Sequence, residues 1–234
     1  MGRNPMSLLI QVAMDMEAAP FLEALPAKES VSCGRAKCYL LDAPTPILLA
    51  TSAIGLVNAA TCLTWVLDSA AAQLGVDAPT AVIAAGTCGG LGEGIEVRDV
   101  IAGSAYRYAD ADATAFGYKP GQLPSEPESF PGGNQLVEIA DKLAGVRVGE
   151  VVSGNSFVAA DQTPAMRQTF PQALAADMES TALAQVSAAR DVAFISVRGV
   201  SDLCGPQAGQ DFHIDGSEAA AVSARTVLEL AKQL

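Results

Sequence analysis

Three acids stand where a polypeptide could use them for proton transfer: Glu17, Glu179 and Asp202. Carboxylates in different environments divide such work, one donating a proton and another accepting one. Each also has an ordinary explanation. Glu17 and Glu179 suit the first turn of a helix, where the dipole favours negative charge. Asp202 suits the turn that ends a buried strand. Other chemistries are poorly served. A Ser-His-Asp triad is not plausible, because His213 is the only histidine and lies in a polar run where it is expected to be solvated. Gly86-Thr87-Cys88-Gly89-Gly90 lacks the Gly-Lys-Ser/Thr of a phosphate-binding loop and has the wrong spacing for a dinucleotide fingerprint. Cys88, with no evident histidine partner, reads as a small packed residue rather than a nucleophile. The five cysteines include no Cys-x-x-Cys pair. No metal site and no cofactor are expected.

The elements that would carry these acids alternate. Apolar runs at Ser7–Val12, Ile47–Thr51, Ala81–Ala85, Val146–Val152 and Phe194–Val200 read as strands buried on both faces. Helical patterns follow at Glu17–Leu25, about Asn58–Leu74, Thr163–Phe170, Met178–Arg190 and Ser217–Leu234, the last with Ser217 as its N-cap. The glycines of Gly86–Gly90 predict a sharp bend or a close approach. Between Tyr106 and Gly133 the pattern fails, and a loop of that length is expected to be functional or interfacial. The fold class expected is α/β: a single domain with a mixed, mostly parallel central sheet flanked by helices on both faces. Residues 1–6 are expected to be a disordered extension, with the domain over 7–234. In such folds ligands bind at the carboxyl ends of the strands, which is where the three acids fall.

Composition narrows the partners. The 234 residues carry 14 basic and 26 acidic side chains, a formal net charge of −12, and half are hydrophobic. An acidic surface repels phosphate backbones, so no nucleic acid is expected. The longest apolar stretches are broken by Asp, Gly or Pro, so no membrane span is expected. An odd number of cysteines and a start unlike a signal peptide fit reduced thiols in the cytoplasm.

Taken together, six motifs in order are more informative than any one. They are Ala13-Met14-Asp15-Met16-Glu17, Ser52-Ala53-Ile54-Gly55, Gly86–Gly90, Ser153-Gly154-Asn155-Ser156-Phe157, Asp177-Met178-Glu179-Ser180-Thr181 and Val200-Ser201-Asp202. The series resembles the nucleoside phosphorylase superfamily. The loop Asp110–Tyr118 with Gly121-Gln122-Leu123-Pro124 resembles its methylthioadenosine/adenosylhomocysteine nucleosidase branch.

That resemblance implies hydrolysis of an N-glycosidic bond. Asp202 matches the acid that serves nitrogen-7 of the leaving base, and Glu17 the residue that orients and deprotonates the attacking water. Glu179 matches the carboxylate that grips ribose hydroxyls, with Met178 packed beside the sugar. Phe157 matches the ring that stacks on adenine, and the Val158 backbone reads the base edge. Ser201 and Thr87 help to orient the acid and the water site. Met14, Ile54 and Phe212 line an apolar slot for the 5′ substituent, with Phe212 on a lid-like loop. Phe116 and Pro124 come from the neighbour in a homodimer. Rival readings are a phosphate-dependent phosphorylase, a nucleosidase for another adenine nucleoside such as aminodeoxyfutalosine, and a non-catalytic nucleoside-binding protein. Bacterial phosphorylases of the superfamily place an arginine where this chain has Ala84, which favours water over phosphate; Arg35 and Lys37 lie in a strand-like stretch with no sign of reaching the site. Val12, where the family commonly has Gly, and Cys204-Gly205-Pro206 depart from the pattern.

Overall fold

The apolar runs pack side by side because each must bury both of its faces. In the computed structural model, which describes residues 7–234, Leu8–Val12 (β1) lies between Ile47–Thr51 (β4) and Ala81–Gly90 (β5), parallel to both. The extension expected over residues 1–6 lies outside the described residues. Leu8, Ile10, Leu49 and Ile83 face one layer, and Leu9, Leu48, Val82 and Ala84 face the other. This period of two splits each run between two cores. The first core is covered by Asp15–Ala24 (α1), Asn134–Ala140 (α4) and Ala208–Ala231 (α7), through Phe21, Leu136 and Val227. The second is covered by Leu56–Trp65 (α2) and Ser180–Ala189 (α6), through Leu63 and Leu183.

The sheet does more than lie flat between helices. Ala193–Asp202 (β10) runs parallel to β5 over most of its length, with Arg198 opposite Gly86. It pairs antiparallel with Val100–Tyr108 (β6), which runs parallel to Val146–Ser153 (β8), itself parallel to Ala173–Asp177 (β9). The far end of β5 then pairs antiparallel with β9, at Gly89 and Gly90. Five strands therefore close into a ring, and β1, β4 and the hairpin Ala27–Cys33 (β2) and Ala36–Leu41 (β3) extend from it as a wing.

The expected α/β architecture with a mixed, largely parallel sheet stands, with differences in detail. Gly86–Gly90 does not turn: it continues β5, and its glycines serve close approach alone. A Cβ on Gly86, where φ is +120°, would meet a Glu17 carboxylate oxygen at 2.3 Å. The stretch expected to be irregular from Tyr106 contains the end of β6, a short 3-10 turn at Thr114–Phe116 and a two-residue strand Phe130–Pro131 (β7). The second long helix continues α2 through a π-helical turn, Val66–Ala70, into Ala71–Gln73 (α3). Thr163–Thr169 (α5) falls where expected. The last helix starts at Ala208 rather than after Ser217, which is exposed within it. Two glycines and a polar run hid this start. Gly216 is buried where α7 passes α1, and a Cβ there would lie 3.4 Å from both Met16 and Phe212, so the glycine suits a close approach despite its poor helix propensity. The expected lid loop is thus helical, and Phe212 and His213 sit on its early turns. Among the described residues, no helix is long and apolar enough to cross a membrane.

Candidate active site

A cavity of about 320 Å³ opens at the carboxyl ends of β1, β4, β5, β9 and β10. Its wall brings together Met14, Glu17, Ile54, Thr87, Phe157, Val158, Met178, Glu179, Ser201, Asp202 and Phe212. Every residue singled out from the sequence is there except Phe116 and Pro124, which lie outside it. These two are exposed on the loop after β6, Phe116 at 83%.

The floor is a buried charge cluster. Arg198 projects from β10 and is 1% exposed. Its Nε lies 3.1 Å from Asp177 Oδ2, although the N–H is not aligned on that oxygen, and one Nη lies 3.4 Å from Glu179 Oε2. Asp177 ends β9 and caps α6: its Oδ1 accepts from the backbone N–H of Glu179 (3.2 Å) and Ser180 (3.1 Å). Ser153 donates to the same oxygen at 2.6 Å, and Ser180 Oγ donates to Oδ2. Because Asp177 does the capping, Glu179 at the N-cap position is released from it. Its Oε1 accepts from Gly55 N–H at 2.9 Å. The turn after β4 delivers that N–H through left-handed backbone at Ala53 (φ 67°) and Gly55 (φ 107°). Burial pushes the Glu179 carboxyl up to about 7; Arg198 opposes this, and Asp177 and Glu17 add to it.

Glu17 fulfils its ordinary reading and exceeds it. As a first-turn residue of α1, it accepts at Oε2 from the N–H groups of Ala13 (3.0 Å) and Met14 (3.1 Å). Its Oε1 crosses to β5 and accepts from Thr87 N–H (2.8 Å) and Thr87 Oγ1 (3.0 Å). Four donors fix the carboxylate at 1% exposure. Asp202 ends β10. It accepts from Ser201 Oγ at 3.0 Å and from Cys204 N–H at 2.9 Å, across a turn that puts Cys204 at φ +54°. Burial raises its carboxyl above the ordinary range against those two donors. Gly89 leaves room for this turn, since a Cβ there would lie 2.5 Å from Cys204 Sγ. Cys88 is buried and its thiol is pushed well above its usual range by desolvation, which suits a packed residue.

Around the acids the wall is apolar. Met14 and Ile54 form one side, and Phe157 meets Phe212 edge-on with ring centroids 6.4 Å apart. His213 is exposed as expected, but it stands on α7 at the mouth of the cavity rather than in a loop. Val12, in a position of interest for its bulk, is 2% exposed and paired with Thr51 in regular β1–β4 register. Sequence reasoning missed Arg198 and the capping role of Asp177. The signal for Arg198 was available: an arginine inside the apolar strand Phe194–Val200 must have buried partners.

Comparison with known proteins agrees over the whole described chain. The family description "Phosphorylase superfamily" matches residues 7–232. A 5′-methylthioadenosine/S-adenosylhomocysteine nucleosidase of Staphylococcus aureus is 34% identical over 229 residues, covering 95% of this chain and 97% of that protein. The Neisseria meningitidis nucleosidase of the same name, crystallised with methylthio-immucillin-A, superimposes with a TM-score of 0.90 at 34% identity, covering 97% of this chain and 99% of that one. That of Colwellia psychrerythraea, in complex with adenine, gives a TM-score of 0.90 at 29% identity, covering 99% and 96%.

The charge cluster makes stability depend on pH. Folded Glu179 holds its proton up to about 7, against an ordinary 4.5, so the folded protein binds a proton that the unfolded chain releases. The resulting stabilisation is complete below about pH 4.5 and is lost as pH rises through about 7. Glu179→Gln should remove this slope. Urea unfolding from pH 5 to 8 should show the unsubstituted protein losing about 1–3 kcal/mol relative to the variant across that range. A difference between the two that does not vary with pH would contradict the assignment.

Proposed function

Because this chain belongs to the phosphorylase superfamily, and its cavity brings three buried acids to the strand ends, we propose that it hydrolyses the N-glycosidic bond of 5′-methylthioadenosine and S-adenosylhomocysteine, releasing adenine and a 5′-thioribose. One observation carries the choice of water over phosphate. Among the described residues, the cavity wall includes Glu17, Asp177, Glu179 and Asp202 but no lysine or arginine. Arg198, behind that wall, is committed to two carboxylates. Ala84, where a phosphorylase would carry its arginine, is buried in the core. With no cation in the wall to receive it, a phosphate dianion is disfavoured beside the Glu17 carboxylate, whereas a water there is activated.

In this reading the Asp202 carboxyl gives its proton to nitrogen-7, and the base leaves with the electron pair of the C1′–N9 bond. Burial, which raises this carboxyl, keeps the protonated form accessible. The ribosyl ring gains oxocarbenium character, which the nearby carboxylates stabilise. Water bonds to C1′ from the opposite face and gives a proton to Glu17, with Thr87 holding that carboxylate in position. Glu179 accepts from the ribose hydroxyls beside Met178. Phe157 stacks on adenine, the Val158 backbone meets its edge, and Ser201 orients the acid. Met14, Ile54 and Phe212 receive the 5′ substituent.

The slot is completed by a neighbour. Phe116 exposes a whole aromatic ring, and Val57 on α2 is 73% exposed. Apolar groups left in solvent in this way mark an interface, and a two-fold dimer is the commonest closed assembly. Phe116 and Pro124 then reach the partner's 5′ slot.

Three outcomes test the proposal. Incubation with methylthioadenosine, adenosylhomocysteine, adenosine and inosine should release adenine from the first two at the same rate with and without millimolar phosphate. Strict phosphate dependence and a ribose 1-phosphate product would favour a phosphorylase instead. Asp202→Asn should cost about 10²–10⁴-fold in kcat with folding intact; near-normal turnover would remove Asp202 from the mechanism. Sedimentation at micromolar concentration should give a dimer, and a fully active monomer would exclude the shared site.

A further inference from the structure

The cavity adjoins a groove of mixed charge, an annex to it. This groove of about 450 Å³ lies on the far side of Met14 and Ile54 and shares them, with Ala13, as its wall. It forms where β1 and β4 end together, Val12 opposite Thr51, and where antiparallel β3 begins, Lys37 opposite Thr51. The turn between β2 and β3 therefore carries Arg35 to the strand ends, where it lines the groove with Asp15 and Asn58. The catalytic cavity is lined by carboxylates alone among fixed charges, but this groove holds both signs. Asp15 and Arg35 are exposed, and they are not paired with each other. Among the described residues Arg35 makes no ion pair at all. Asn58 Nδ2 donates to the Ile54 carbonyl at 2.7 Å, which leaves its Oδ1 as an acceptor.

We infer that this annex binds an α-amino acid zwitterion at the far end of the 5′ substituent, with the carboxylate on Arg35 and the ammonium on Asp15 and Asn58 Oδ1. The inference rests on the proposed nucleosidase function. In adenosylhomocysteine the sulfur is joined to the α-carbon through two methylenes. A sulfur seated against Met14 and Ile54 thus has its amino acid head beyond them, in the annex that the same two side chains wall. The guanidinium fork matches a carboxylate in two parallel hydrogen bonds, and the unpaired Arg35 need break no internal pair to make them. Methylthioadenosine ends in a methyl group and stops at the slot. Arg35 therefore separates the two substrates without touching the bond that breaks.

Steady-state kinetics on both nucleosides test this directly. Arg35→Ala should lower kcat/KM for adenosylhomocysteine about five- to tenfold, mainly through KM, because a solvent-exposed charged contact is of modest strength. Arg35→Glu should lower it further. Both variants should stay within about twofold of the unsubstituted protein on methylthioadenosine, a split that general disturbance of the fold would not produce. The loss for adenosylhomocysteine should shrink in roughly 0.5 M salt, where exposed charges are screened. If the unsubstituted protein cleaves both nucleosides and the Arg35 variants change both in parallel, or neither, the annex assignment is overturned and the nucleosidase reading survives. If the unsubstituted protein cleaves neither, the functional reading itself fails.

Discussion

A guanidinium buried between two carboxylates is the constraint around which this molecule is arranged. Taking Arg198, Asp177 and Glu179 out of water is costly, and their attraction repays it only if the geometry is good and the remaining polar atoms are satisfied. That condition ties distant parts of the chain to one another. Arg198 must come from β10, Asp177 from the end of β9, and Glu179 from the N-terminus of α6. Ser153 of β8 donates to Asp177, and Gly55 after β4 donates to Glu179. The closing of five strands into a ring is what brings β9 and β10 onto the same end of β5. Breaking one member of such a cluster leaves an uncompensated buried charge, so its parts are held together by mutual need rather than by strong individual pairs.

The site separates its acids by environment. Glu17 is surrounded by donors: two from its own helix start and two from Thr87. Asp202 has two donors and is shielded from solvent, so burial dominates and its carboxyl is raised. In the proposed reaction Glu17 accepts a proton from water and Asp202 gives one to the base. The difference comes from packing. Gly86 allows the Glu17 carboxylate to lie against the β5 backbone, and Gly89 allows the Asp202–Cys204 turn to lie against the same strand. Gly86 and Gly89 therefore provide clearance for the two carboxylates, and Gly90 provides it for the apolar side chains of Ile95 and Leu203.

Apolar and polar surfaces divide the remaining functions. Phe157, Phe212, Met14 and Ile54 give the cavity an apolar side beside its acids. Past Met14 and Ile54 the wall turns polar again, with Asp15, Arg35 and Asn58.

Much of this was legible in the residues. The apolar runs Leu8–Val12 and Ile47–Thr51, buried throughout, the glycines of the 86–90 segment, and acids after apolar runs are local signals, and local signals survive in a linear reading. Glu17 and Asp202 kept the helix-start and turn roles that their neighbours assign, through hydrogen bonds that span only a few residues; Glu179 did not, because Asp177 caps the helix and the Glu179 side chain is taken up by Gly55 and Arg198. The continuation of β5 through Gly90 and the start of α7 at Ala208 were not legible. Each depends on a partner far away in sequence: β9 for the glycines and α1, which packs against α7, for the helix start. Arg198 shows the division most clearly. Its presence in an apolar strand announces a buried charge, but which carboxylates answer it, and that they are the ones beside the cavity, depends on where the ring closes.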